Sequence, residues 1–384
     1  TIKIAILICL PAYALEPKYW SWHWNDQGEL YNIIIAPNNQ KADLLDTDAE
    51  TGGSTDILGS KAQDVFNPSL LSSIEDQNPY KVNGHYRMYY APHTHTRIYM
   101  AKSTNLKDGW SEWGQVKLIG GSYGQAYSAP DVLWMNNERK YYMWAHGGKN
   151  KKTETFESTD GKNFKKIKDA ITDDAVNTNN SNYHIRNATY TRVYKHTIKR
   201  KGASYDYIMF YSAYCTLNKK RYLWLAYSNN AKDWVQEKTP FLSPQSNEYD
   251  RLFSPSFISV NTQNYLFFQD DLSNVLKENG ECYSYSPSGG CKNGGKIKYV
   301  EIDDNLENPG ERNILFSPPE NETYRKRYFG AVFYKIRDKI YMFSGSGKMN
   351  NEFMKVCTKA EKDKRLNPYM RQFQCDDFQL FSTN

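Results

Sequence analysis

The stretch Asp64-Val65-Phe66-Asn67-Pro68-Ser69-Leu70 decides the fold, because the chain returns to a version of it four times. The returns are Ala129-Pro130-Asp131-Val132-Leu133, Asn187-Ala188-Thr189-Tyr190-Thr191, Ser254-Pro255-Ser256-Phe257-Ile258 and Gly330-Ala331-Val332-Phe333-Tyr334. Measured from Asn67 through Ala129, Asn187, Ser254 and Gly330, the steps are 62, 58, 67 and 76 residues. Behind each start comes an aromatic-rich run that reads as a second strand, at residues 85–90, 140–144, 207–211, 265–268 and 339–343. A third strand follows at 97–103, 221–228 and 296–301. A small antiparallel unit cannot bury its own faces, so five in series predict radial repetition. The expected fold is all-β, a five-bladed β-propeller with blades starting near residues 64, 126, 184, 251 and 327.

The repeat occupies residues 61–384, and residues 15–60 are a polar lead with three tryptophans. A ring of short sheets must close to leave no free edge. Residues 30–35 read as a strand that completes the last blade; the alternative is 378–381. The echoes Ser158-Thr159-Asp160-Gly161 with Phe164, and Ser228 with Lys232-Asp233-Trp234, read as a strand end and a tight turn. The aromatic ring after each turn is expected to pack between blades.

Residues 1–14 read as the rest of a secretory signal: Lys3, an apolar run over 4–10, then Ala12-Tyr13-Ala14 in the small-x-small form of a cleavage site. The run is too short to span a bilayer, and the expected location is secreted or periplasmic. In that setting Cys282 with Cys291, and Cys357 with Cys375, read as local disulfides, while Cys215 reads as a buried free thiol. The net charge of +6 comes without a dense basic block, which argues against nucleic acid. No cysteine–histidine pattern calls for zinc and no cofactor is expected; polar inner strands leave room for a structural ion on the axis.

In a propeller the first strand of each blade lines the axis, so residues entering those strands converge. Three positions before Asn67 and its equivalents stand Asp64, Ala126, His184, Arg251 and Arg327; two positions after them stand Ser69, Asp131, Thr189, Ser256 and Val332. Arg186 lies between the two levels. Carboxylates, a histidine and arginines around one axis are costly to gather unless they pair or meet a ligand. The structural reading is a salt-bridge network in which Arg251 and Arg327 neutralise Asp64 and Asp131. The functional reading has the arginines binding a ligand and an Asp or His moving a proton. His146 is a rim residue that ranks as a substrate contact.

Five blades, Asp64 with Asn67-Pro68-Ser69-Leu70, the second-blade Ser128-Ala129-Pro130-Asp131-Val132 and the serine–turn–aromatic echoes together resemble the glycoside hydrolase family 43 superfamily of arabinanase- and xylosidase-like propellers. The resemblance implies a glycosidase. It puts Asn67 where the family has its catalytic base and Asp131 where the family's second Asp tunes the acid. Asn187 then stands where the family has its general-acid Glu. Two carboxylates of three are thus replaced by amides. Asp64 and His184 are the substitutes at hand, since a histidine holds a proton near neutral pH. The expected function is a secreted glycoside hydrolase acting on an oligo- or polysaccharide, with Arg251 and Arg327 hinting at an anionic sugar. Its site comprises catalytic Asp64, Asp131 and His184, with Asn67, Arg186, Asn187, Arg251, Arg327 and His146 contacting the carbohydrate. A carbohydrate-binding propeller without catalysis and a lyase on a uronate-containing glycan are the alternatives.

Overall fold

The computed structural model describes residues 32–35, 66–91, 97–104, 106, 111–124, 126–147, 152–245, 251–260, 263–271, 296–316, 327–336, 339–347 and 376–382. The described chain is almost entirely β-strand, with one short helix, Asp173–Asn177, capped by Thr172. The strands fall into five antiparallel units. The first contains Phe66–Leu70, Tyr86–Ala91, Tyr99–Ser103 and Ser111–Gln115. The second contains Tyr127–Met135, Lys140–Gly147, Lys152–Ser158 and Asn163–Thr172. Ile185–Arg200, Ala203–Cys215, Lys220–Ser228 and Val235–Gln236 form the third. Arg251–Val260, Gln263–Asp271, Lys296–Ile302 and Arg312–Phe316 form the fourth. The fifth joins Arg327–Ile336, Lys339–Gly347 and Asp376–Ser382 to Asn32–Ile35 from the other end of the chain. Both candidate closing strands therefore enter the last unit. The Asp376–Ser382 strand is third and Asn32–Ile35 outermost, an arrangement that the sequence left as alternatives.

The same register break recurs near the start of each first strand. It falls between Phe66 and Ser69, Ser128 and Asp131, Phe253 and Ser256, and Phe329 and Val332, and near the start of the third unit it occurs twice, between Arg186 and Thr189 and between Thr189 and Arg192. Each break places two residues opposite one, the geometry of a β-bulge. Ala129 and Ser254 accordingly take positive φ values of 47° and 52°. The third unit has two such residues, Asn187 at 58° and Tyr190 at 54°.

Aromatic contacts fill the space between successive units. Tyr89 meets Phe164 edge-on at 6.1 Å, Trp144 meets Trp234 at 6.4 Å, Phe210 lies 6.0 Å from Phe257, and Phe267 stacks on Phe333 at 4.2 Å. Leu70 and Met88 of the first unit share a buried cluster with Tyr334 and Phe343 of the fifth. These rings, all buried except the half-buried Trp234, lie between sheets because no unit can cover its own faces. Each fully buried side chain of this size contributes about 1.5–3 kcal/mol of hydrophobic stabilisation. Phe164 and Trp234 follow the two echoing turns. Ser158 Oγ accepts the Gly161 N–H at 2.9 Å, and Ser228 Oγ accepts the Asn230 N–H at 3.2 Å. The first strands of units one to five touch in sequence order, and the fifth touches the first.

Cys215 is a buried free thiol. Cys282, Cys291, Cys357 and Cys375 lie outside the described residues, among which there is no disulfide. Residues 1–14 are also outside them. No helix among the described residues is long and apolar enough to cross a membrane.

Candidate functional site

One hydrogen-bond circuit links the five first strands. Val132 N donates to Ser69 Oγ at 2.9 Å, Val193 N to Asp131 Oδ2 at 2.8 Å and Phe257 N to the Tyr194 hydroxyl at 3.0 Å. Phe333 N donates to Ser256 Oγ at 2.9 Å, and Leu70 N to the Tyr334 hydroxyl at 2.9 Å, which returns to the first unit. Leu70, Val132, Val193, Phe257 and Phe333 therefore stand at one level. The residues just before them are Ser69, Asp131, Arg192, Ser256 and Val332. The bulge at Tyr190, three residues beyond the one at Asn187, is the counterpart of those at Ala129 and Ser254, so Arg192 takes the position that sequence alignment gave to Thr189.

This shift identifies the partner of Asp131. Arg192 Nη1 lies 3.5 Å from Asp131 Oδ1, and neither side chain is more than 7% exposed. The neutralising arginine is thus Arg192, in place of the expected Arg251 or Arg327. Arg192 also donates to the carbonyl oxygens of Pro130 at 2.7 Å and Pro68 at 2.9 Å, both within bulges. Burial pushes the Asp131 carboxyl above the usual aspartate range, against the opposing pull of Arg192, Val193 N–H and Ser69. Beyond this level, towards the strand ends, is a cavity of about 440 Å³ lined by Glu75, Tyr194, Lys195, Ser259, Phe333 and Tyr334 among others, with Asp131 and Arg192 at its base.

On the entry side the third and fourth units meet. His184 is exposed, with Nδ1 3.0 Å from Thr216 Oγ1. Arg186 is exposed and its guanidinium lies over the Tyr214 ring at 5.0 Å. Asn187 N and Ala188 N donate to Asp173 Oδ2 and Oδ1 at 3.2 and 3.3 Å. Arg221, which sequence reasoning missed, lies over Tyr190 at 5.9 Å, and Tyr190 stacks on Phe253 at 5.6 Å. Arg221 Nη1 donates to Ser212 Oγ at 3.3 Å and to Asn187 O at 3.5 Å. Burial lowers the Arg221 pKa, and Arg251 and Arg186 add to the effect against Tyr190 and Asp173. The one signal for Arg221 in the sequence is its place at the head of a third strand, which no single-strand alignment compares with Arg251.

The entry thus brings Arg186, Asn187 and Arg251 together. Through Tyr214 and Arg221, Arg186 is level with Arg251, and His184 lies two residues farther out. Asp131 lies deeper, at the circuit. His146 is half-buried near the end of its strand, opposite Ser128 and Thr153. Asn67 and Arg327 lie on first strands, but their side chains, like all of Asp64, are outside the described residues. No cluster of three or more potential metal ligands occurs among the described residues.

No family model matches the sequence and no curated protein matches it. Solved structures do match in fold. A structure described simply as a glycoside hydrolase is 13% identical with a TM-score of 0.55, covering 92% of this chain and 91% of its own. One from the GH130 family of mannoside phosphorylases, which contains glycoside hydrolases that target β-1,2 mannosidic linkages in Candida mannan, is 13% identical with a TM-score of 0.56, covering 97% and 95%. The Bacillus subtilis arabinanase Arb43A is 14% identical with a TM-score of 0.50, covering 84% and 95%. At this identity the likeness is one of fold.

Proposed function

We propose that this chain is a five-bladed β-propeller, exported from the cell, that acts as a glycoside hydrolase on an oligo- or polysaccharide at the entry end of its axis. The observation that carries the reading is the circuit from Ser69 to Tyr334, which joins the five bulged first strands at one level. The half-buried Tyr190 and Tyr214 offer aromatic surface at the entry end, and Arg186, Asn187 and His184 offer polar groups. Rings with a few directional polar groups are the usual surface for a sugar. The fold shared with glycoside-hydrolase structures supports the same class.

Hydrolysis needs one group to protonate the departing oxygen and another to activate water or attack the sugar. His184 is the proton donor of this proposal, Asp64 the base, and Asp131, held by Arg192, the group that sets the local field. Asn67, Asn187, Arg251, Arg327 and His146 complete the substrate contacts. Turnover of a panel of aryl glycosides and oligosaccharides tests it, with sugar release expected from the wild type and none from Asp64→Ala.

A second reading is carbohydrate binding without hydrolysis. Both Asp131 oxygens are already engaged, and amides stand at Asn67 and Asn187. Saccharide binding without turnover on any linkage would select it.

A further inference from the structure

Arg186 lies opposite Tyr214, Tyr214 opposite Arg221, Arg221 beside Arg251, and Arg251 opposite Asp271. Three arginines therefore occupy one rung across four adjacent strands and bridge the third and fourth units. Neighbouring strands are only ~4.8 Å apart, and like charges on adjacent strands repel. Nothing in the fold requires that repulsion. Among the described residues, no carboxylate forms an ion pair with Arg186, Arg221 or Arg251; Asp173, the nearby described acid, directs its oxygens to backbone N–H groups. The Arg221 contacts to Ser212 and Asn187 are neutral and long, and Asp173 offsets its charge only through space, without a hydrogen bond to it.

From this rung we infer that the entry site takes a glycan bearing an oxyanion substituent, a carboxylate or a sulfate, with Arg221 and Arg251 as its receptors. The inference rests on the glycan reading above and specifies which glycan. A guanidinium presents two parallel N–H groups that match two oxygens of such a group. Tyr190, half-buried beside Arg221 and backed by the buried Phe253, would border the ring of the same sugar. Arg186 over Tyr214 flanks the pair and takes the neighbouring unit of the chain. A neutral sugar at this position would leave the like charges of Arg221 and Arg251 on adjacent strands without an anionic counterpart.

Binding is measured by calorimetry with matched oligosaccharide pairs: a uronate oligosaccharide and its carboxyl-reduced form, and a sulfated oligosaccharide and its desulfated form. At least about tenfold tighter binding of one charged member is expected, weakening with added salt. Whichever pair discriminates tells carboxylate from sulfate. Arg251→Gln, at an exposed position, and Arg221→Gln should each shrink that ratio, with thermal unfolding confirming a folded protein. Equal binding of charged and neutral members overturns the inference and leaves the glycan reading standing. No binding of any member overturns both.

Discussion

The Asp131 carboxylate and the Arg192 guanidinium face each other at 3.5 Å in the interior, and the same arginine holds the Pro68 and Pro130 carbonyl oxygens. Three units are thereby tied at one point. Removing one partner of a buried ion pair leaves an uncompensated charge and costs about 3–5 kcal/mol. Arg192→Met should destabilise the protein by about that much in urea unfolding. Asp131→Asn/Arg192→Met should recover part of the loss, the remainder being the two orphaned carbonyls.

Tyr194 and Tyr334 supply the acceptors that Arg192 and Val332 cannot. Tyr194→Phe leaves the buried Phe257 N–H without its partner, and Tyr334→Phe does the same to Leu70 N–H. Each should cost about 1–3 kcal/mol. Amide exchange provides the local readout: Phe257 should exchange faster in the first variant and Leu70 in the second. Unchanged exchange at these amides would remove the circuit from the account of how the units are joined.

Acid sensitivity should centre partly on Glu154, which is fully buried and accepts from Lys166 Nζ at 2.6 Å, Ser122 N at 3.2 Å and the Tyr127 hydroxyl. Burial alone pushes its pKa up, but these hydrogen bonds outweigh it and hold the carboxyl below the usual glutamate range. A folded-state pKa below the unfolded one gives stability that is complete above the unfolded value. That stability is lost as pH falls through the folded value. Glu154→Gln should therefore be less stable than wild type near pH 7, by about 1–3 kcal/mol. The gap should narrow as pH drops below about 4. Urea midpoints across that range measure it.

For the proposed chemistry, His184→Ala should abolish or strongly reduce sugar release while leaving the unfolding midpoint within about 0.5 kcal/mol of wild type, because the side chain is exposed. Full activity in that variant would remove His184 as proton donor. Asp64 would then need another acid at the mouth, and Asp173 would be the next group to replace.

The sequence alone was enough to find five units, to place their first strands within two residues of the observed starts, and to put the Phe164 and Trp234 rings between sheets. Those features are local: a proline or small residue at a bulge, two-residue alternation and a serine-led turn are each written in consecutive positions. Tertiary structure alone decided who meets Asp131 and which arginines share a rung. A second bulge at Tyr190 adds a residue to the pairing of the third strand, and nothing in the neighbouring side chains distinguishes a strand that bulges twice from one that bulges once. The later bulge, three residues beyond the first, brings Arg192 level with Asp131, and pairing between strands of different units sets Arg221 beside Arg251.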